Sequence, residues 1–218
     1  GQVQVSAANV STAGSSVSAQ IESGRFGASA IAVDEHVVAG LRDVSVNAQG
    51  LNVLAWGATS YDAAGEVAMQ TATGSVTARV EDSTVNLAGE LNILGRDESR
   101  FSTISADSDS GLDLLEGLKV DIASAGNFLS RTVDAFVDNS NIQSAAMSVL
   151  AQAQQVAEAQ ATSVTSADVV DSDADSLSVG AFGDKAIKGT LAWNQWTGGV
   201  RAFVAASQLD LVEGDLHV

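Results

Sequence analysis

One motif returns along this chain at unequal intervals, and that constrains the fold more than any other feature. Leu41–Ala55 reads LRDVSVNAQGLNVLA, Val80–Gly95 reads VEDSTVNLAGELNILG, Val137–Ala151 reads VDNSNIQSAAMSVLA, and Val204–Val218 reads VAASQLDLVEGDLHV. Each copy begins on an apolar residue, passes through polar or small residues, and returns to an apolar residue at the sixth position. A small-residue turn and a second alternating run follow. The approach to each copy (VVAGL, SVTARV, RTVDAFV, GGVRAFV) also alternates, as a strand with one buried face requires. The copies start at Leu41, Val80, Val137 and Val204, so the gaps between them are 39, 57 and 67. A repeat of fixed length does not produce such gaps. A chain wound in coils does, if the motif marks only some coils. With coils of roughly 20 residues, the gaps correspond to about two, three and three coils.

Composition supports continuous strand. The 218 residues contain no Pro, which cannot donate to a sheet ladder and is excluded from interior strands. Aromatic residues make up only 5%, so Ala, Val, Leu and Ile must fill the core, and small side chains suit a thin core between closely spaced sheets. With no Cys, the fold rests on hydrogen bonding and packing rather than disulfides. A formal charge of −17 with only 10 Lys and Arg argues against nucleic acid and anionic membranes as partners. No apolar run approaches the ~18 residues of a membrane-spanning helix. The opening GQVQVSAANV carries no signal-peptide pattern. Val3-Gln4-Val5 resembles Leu91-Asn92-Ile93, and Leu216-His217-Val218 occupies the same place in the last copy. Both ends therefore read as mid-unit, and the expectation is a fragment of a longer array.

Two segments depart from the pattern. Residues 142–162 are rich in Ala, Gln, Met and Glu, so propensity alone favours helix. Their alignment with strands in other copies, and the period of two in AQAQ and AEAQA, favour strand. SGLDLLEGLK, 110–119, has no counterpart. Ser110 there is placed to cap a short helix with Leu112, Leu115 and Leu118 on one face. The expectation is an insertion within 96–131.

Catalytic signals are weak. His36 and His217 lie far apart on or beside alternating runs, and two distant His without Cys do not make a zinc site. No hydrolase, metalloprotease or nucleotide-binding motif occurs in its proper context. The metal candidates are Asp107, Asp109 and Asp113, in a stretch where alternating oxygen ligands and Gly111 resemble a calcium loop, though without EF-hand spacing. Asp171, Asp173 and Asp175 form a similar run that lacks the glycine. The competing reading of both is a solvated acidic turn. Polysaccharide lyases and hydrolases built on β-helices need grouped carboxylates, whereas Arg42-Asp43 and Glu81-Asp82 recur at one motif position and so read as turn chemistry. Thr71 and Thr73 hint at an ice-binding face without forming an array. Trp56, Trp193 and Trp196 suit stacking on sugar rings, and Trp193 and Trp196, which replace small or aliphatic residues of other copies, equally suit filling a widened core.

Units such as VEDSTVNLAGELNILG, preceded by runs such as GTLAWNQWTGGVRAFV, resemble the tandem repeats of very large bacterial surface proteins of the filamentous-haemagglutinin-like and leukotoxin-type adhesin families. The resemblance covers most of the chain and is least clear at 96–131 and 163–185. It implies a right-handed parallel β-helix, export from a Gram-negative-type cell and a filamentous or adhesive role. It supplies no catalytic residues.

The expectation is therefore an all-β, right-handed parallel β-helix (a β-solenoid) over 1–218, with three sheet faces, coils of roughly 20 residues and short loop or helical insertions. Val44, Val46, Leu51, Val53, Val85, Leu91, Ile93, Ile142, Val149, Leu209 and Leu216 should point inward. The expected role is a structural or adhesive segment of an extracellular, cell-surface filament, non-catalytic and without an organic cofactor. Its partners would be neighbouring repeats or identical chains, with surface glycans as targets. The alternatives are a carbohydrate-active β-helix and a calcium-dependent or ice-binding module.

Overall fold

A computed structural model describes residues 1–15, 17–21, 24–106, 112–115, 118–162, 185–212 and 214–218. Every element among them is a β-strand. The chain runs through β1 (Gln2–Ser15), β2 (Val17–Ile21), β3 (Gly24–Arg42), β4 (Ser45–Ala48), β5 (Gly50–Gly65), β6 (Val67–Glu81), β7 (Thr84–Leu87), β8 (Leu91–Asp97) and β9 (Arg100–Ala106). It continues through β10 (Leu112–Leu115), β11 (Leu118–Asp138), β12 (Asn141–Ser144), β13 (Met147–Ala153), β14 (Val156–Thr162), β15 (Lys185–Trp196), β16 (Gly199–Ala205), β17 (Gln208–Leu211) and β18 (Leu216–His217).

These strands form three sheets. The first holds β1, β5, β8 with β9, β13 with β14, and β18. The second holds β3, β6, β11 and then β15 with β16, with β2 and β10 added as antiparallel partners. The third stacks β4, β7, β12 and β17. All other pairings are parallel, and the chain visits the second, third and first sheets in that order, circuit after circuit. Each pass thus hydrogen-bonds to the passes on either side of it.

The register corrects the expected coil length. Leu41 lies directly beside Val80, Val80 beside Val137, and Val137 beside Val204. Each motif gap is therefore one circuit, and the short coils expected from the repeat range, two or three to a gap, do not occur. The circuits are long because two of their three sides are long: β5 has 16 residues and β6 has 15, against 4 in β7. Most of the variation in length falls at the connection from the first sheet to the second. Glu66 alone separates β5 from β6, whereas 107–117 and 163–184 fall at the same connection in later circuits.

The insertion is correspondingly narrower than 96–131. Residues 100–105 pair in register with 60–65, and 124–138 with 67–81. The expected short helix is also overturned. Leu112–Leu115 is a strand, antiparallel to the start of β11, where Leu112 faces Val120 and Leu115 faces Leu118. Ser110 lies outside the described residues. Residues 142–162 do lie in strands β12, β13 and β14, because pairing with two neighbouring circuits outweighs the helical preference of Ala and Gln.

The core is narrow and aliphatic. Leu51, Val53, Val76, Val80, Val85, Leu91, Ile93, Val133, Ile142 and Val149 are buried in one cluster, with Ala39, Ala55, Ala78 and Ala135 among them. Each fully buried Val, Leu or Ile contributes roughly 1.5–3 kcal/mol. Val46 and Leu209 pack against this cluster from partly buried positions. Val44 and Leu216 do not point into it: they are 39% and 43% exposed. Val44 follows a turn that sets its side chain outside, and Leu216 lies in the two-residue β18 at the edge of its sheet.

The turn between the second and third sheets is built the same way four times. Its first residue, Asp43, Asp82, Asn139 or Ala206, has a positive φ of 54°, 49°, 45° or 47°. Asp and Asn tolerate that left-handed conformation better than most residues. In three circuits the next residue is Ser83, Ser140 or Ser207. Each of these hydroxyls donates to the carbonyl two residues back, at 2.7 Å. Each also accepts the backbone N–H of the residue one circuit earlier, from Val44, Ser83 and Ser140 respectively. Val44, where the hydroxyl is missing, lies next to β4, which among the described residues has no further strand beyond it in its sheet.

Candidate functional site

The calcium candidates are not assembled. Asp107 and Asp109 lie outside the described residues, as do Asp171, Asp173 and Asp175. Asp113 is in β10 with its backbone opposite Lys119. Among the described residues, no three His, Asp or Glu side chains converge as a metal site.

Two carboxylates and a cation do converge, in the interior. Glu35, Asp97 and Arg131 come from β3, β8 and β11, at inward positions of their alternating strands. Arg131 Nη1 lies 3.2 Å from Glu35 Oε2, and its Nε lies 2.8 Å from Asp97 Oδ2. The Arg131 and Asp97 side chains are 0% exposed and that of Glu35 is 6% exposed. Ser99 donates to Asp97 through both N–H and hydroxyl, Gln155 donates to it as well, and Thr59 donates to Glu35. The Arg131 guanidinium also stands 5.9 Å from the centre of the Phe101 ring.

Two glycines make room for this cluster. Gly74 lies between Glu35 and Arg131 in the ladder of the second sheet. Its φ is +141°, and a Cβ there would fall 1.9 Å from the Glu35 carbonyl oxygen. Without a side chain at this inward position, Arg131 can reach across the middle circuit to Glu35. A Cβ on Gly57 would lie 3.3 Å from Asp97 Oδ1 and 3.5 Å from Arg131 Nη2. The two carboxylates thus share one guanidinium inside the core, where the three side chains tie the first sheet to the second. That differs from the open groove of carboxylates that glycan hydrolysis requires. The sequence carried a signal for the cluster: Arg131 falls between the inward Leu129 and Val133, and Glu35 between the inward Val33 and Val37.

The outer face of the second sheet is the more open surface. Its outward residues are Ala32, Asp34, His36 and Val38 in β3, then Thr71, Thr73, Ser75 and Thr77 in β6. In β11 they are Phe128, Ser130, Thr132, Asp134 and Phe136, and in β15 and β16 Trp193, Gln195, Arg201 and Phe203. His36 belongs here, with Nδ1 2.9 Å from Ser75 Oγ and Nε2 3.4 Å from Asp34 Oδ1. The order Asp-His-Ser is that of a hydrolase triad, but the His36 and Asp34 side chains are 61% and 69% exposed, so no buried carboxylate fixes the ring. The hydroxyl run that Thr71 and Thr73 suggested extends along β6 to Thr77. It does not repeat in neighbouring circuits as an ice-binding array would.

The tryptophans separate. Trp56 faces outward from the first sheet and donates through Nε1 to Glu98 at 3.1 Å. Trp193 lies outward over Gly126, where a Cβ would come within 2.3 Å of its ring. Its ring meets that of Phe128 edge-on at 5.9 Å. Trp196 is paired in register with the inward Leu129 and is 45% exposed. Phe136 and Phe203 stack with centres 5.0 Å apart and planes 6° apart. Beside them Arg201 grips Asp134 with two hydrogen bonds of 2.7 and 2.9 Å. Those hydrogen bonds, and then the charge of Asp134, raise the Arg201 pKa further above its ordinary value. His217, in β18, is exposed. No protein-family model, curated protein or solved structure matches this chain.

Proposed function

We propose that the chain is a segment of right-handed parallel β-solenoid with a structural and adhesive role at a bacterial cell surface, and that it is not catalytic. The observation that carries this reading is the parallel register between successive circuits: neighbours in the second and third sheets are offset by 39, 57 and 67 residues, and the first sheet pairs the same circuits within two residues of those offsets. Side chains of one kind stack in columns along it, as Asn47 does on Asn86 and Asn52 on Asn92. Such a scaffold is rigid without disulfides and presents broad flat faces. Its acidic surface suits an extracellular, soluble array, and further circuits or identical chains would cover its exposed strand edges. The burial of Glu35 and Asp97 against Arg131 supports the non-catalytic reading, because this pair of carboxylates has no open path to a substrate.

Beads coated with the purified chain should adhere to host epithelial cells above an albumin-coated control. Electron microscopy of the chain should show particles of constant cross-section. Equal adhesion by both bead types would sink the adhesive role, and particles of irregular cross-section would sink the solenoid.

A further inference from the structure

We propose that the outer face of the second sheet, across its last two described circuits, binds a neutral polysaccharide. The proposal deepens the adhesive reading and rests on it for its biological setting. It begins from where the aromatic residues lie. The core cluster contains none, and a smaller neighbouring cluster holds only Tyr61 and Phe101. Phe128, Phe136, Trp193 and Phe203 instead stand on one outer face, all partly exposed. Burial normally draws such side chains inward.

The same columns in earlier circuits show that the fold does not need them. Phe128 continues a column of Ala32 and Thr71, while Phe136 and Phe203 continue one of Gly40 and Arg79. Trp193 continues Ala30, Met69 and Gly126. Those circuits pair in the same register without an aromatic residue at any of these places. Exposed rings that the fold does not require are rings available to a ligand.

The surroundings select the kind of ligand. Between the Phe128–Trp193 pair and the Phe136–Phe203 pair lie Ser130, Thr132, Gln195 and Thr197, with the Asp134–Arg201 fork beside the second pair. A face of rings separated by hydroxyl, amide and ionic groups is not the contiguous apolar patch that a protein partner would cover. It matches a sugar chain, whose C–H faces stack on rings and whose hydroxyls hydrogen-bond between them. Trp193, whose ring covers Gly126, is a partly exposed ring of this kind. The net charge of −17 disfavours polyanionic glycans, which leaves a neutral one.

The test is affinity electrophoresis of the whole chain through native gels containing hydroxyethylcellulose, galactomannan or dextran, with alginate as the anionic comparison. At least one neutral polymer should retard the chain and alginate should not. Trp193→Ala and Phe203→Ala should each weaken that retardation about tenfold or more, as loss of a central aromatic anchor does. Trp56→Ala, on another sheet, should leave it unchanged. Gly126→Ala, which must displace the Trp193 ring, should weaken it without removing any aromatic residue. Circular dichroism confirms that each variant folds; if Trp193→Ala does not, Phe203→Ala and Trp193→Phe carry the comparison.

The proposal is overturned if no neutral polymer retards the chain, or if retardation survives loss of Trp193 and Phe203. Sedimentation showing a dimer that Trp193→Ala dissociates, with no retardation, would assign the face to a second copy and overturn it equally. Adhesion of coated beads that Trp193→Ala leaves intact would refute this site while sparing the adhesive reading. Polysaccharide retardation without bead adhesion would do the reverse.

Discussion

Replacing Arg131 with methionine removes the cation between Glu35 and Asp97 while nearly preserving side-chain volume. The Arg131 and Asp97 side chains are 0% exposed and that of Glu35 is 6% exposed, so water screens little of their interaction. Breaking a buried pair by removing one partner typically costs about 3–5 kcal/mol, because it leaves a charge desolvated and uncompensated. Asp97 keeps donors from Ser99 and Gln155, and Glu35 keeps Thr59, so the lower end of that range applies. A loss of about 3 kcal/mol is large against a typical total of about 5–15 kcal/mol. Urea unfolding followed by circular dichroism should therefore show a lower midpoint with an unchanged slope. Adding Glu35→Gln should restore roughly 1–2 kcal/mol, since a neutral amide costs less to bury than an unpaired carboxylate. If Arg131→Met fails to fold, Arg131→Lys should show an intermediate loss, because it keeps the charge and loses the two-pronged contact. A loss below about 1 kcal/mol, the range of exposed pairs, would refute the argument. So would a double variant no more stable than the single one.

Three further predictions concern the turns and one glycine. Ser140→Ala removes a buried hydroxyl that donates to Asp138 O and accepts from Ser83 N–H, so it should cost about 1–3 kcal/mol in urea unfolding; the exposed Ser45→Ala should stay within about 0.5 kcal/mol. Ala206→Gly relieves a left-handed residue at φ 47° and should raise stability by about 0.5–1 kcal/mol, seen as a higher urea midpoint. Gly74→Ala sets a Cβ against the Glu35 carbonyl and should lose at least about 1–3 kcal/mol, with faster limited proteolysis as a second readout.

Alternation and recurrence made the strands readable, including those at 142–162, where a propensity argument favours helix. They also made most of the core readable, because Leu51, Val85, Leu91, Ile93 and Ile142 hold equivalent places in their copies. Circuit length was not legible. A strand's hydrogen-bond partner leaves no mark on its own residues, so nothing in VEDSTVNLAGELNILG says how far along the chain its neighbour lies. Val44 was misplaced because a left-handed Asp43 turns the chain before the inward alternation resumes at Val46. The Glu35, Asp97 and Arg131 cluster was missed for the opposite reason to the turns. Its members each occur once, in strands far apart in sequence, and a search for recurring features passes over them. The two aromatic pairs of the outer face were hidden because they form only between circuits, at an offset that the residues themselves do not announce.

Long circuits also bear on what such a scaffold is good for. Each circuit advances the stack by one strand spacing, about 4.8 Å, so the four strands β4, β7, β12 and β17 span only about 14 Å from first to last. A 16-residue strand such as β5 runs roughly 50 Å along its own path at about 3.3 Å per residue. Within these residues the protein therefore gains width rather than reach. A chain selected only to project a distant tip would do better with short coils, which rise further per residue. Wide circuits repay their length when the faces themselves are used. They offer several outward side chains per circuit, and neighbouring circuits add rows beside them at a fixed spacing. The aromatic, hydroxyl and ionic groups between Phe128 and Phe203 form such rows. The connection between the first and second sheets, where chain length varies most, leaves the registry of that face undisturbed.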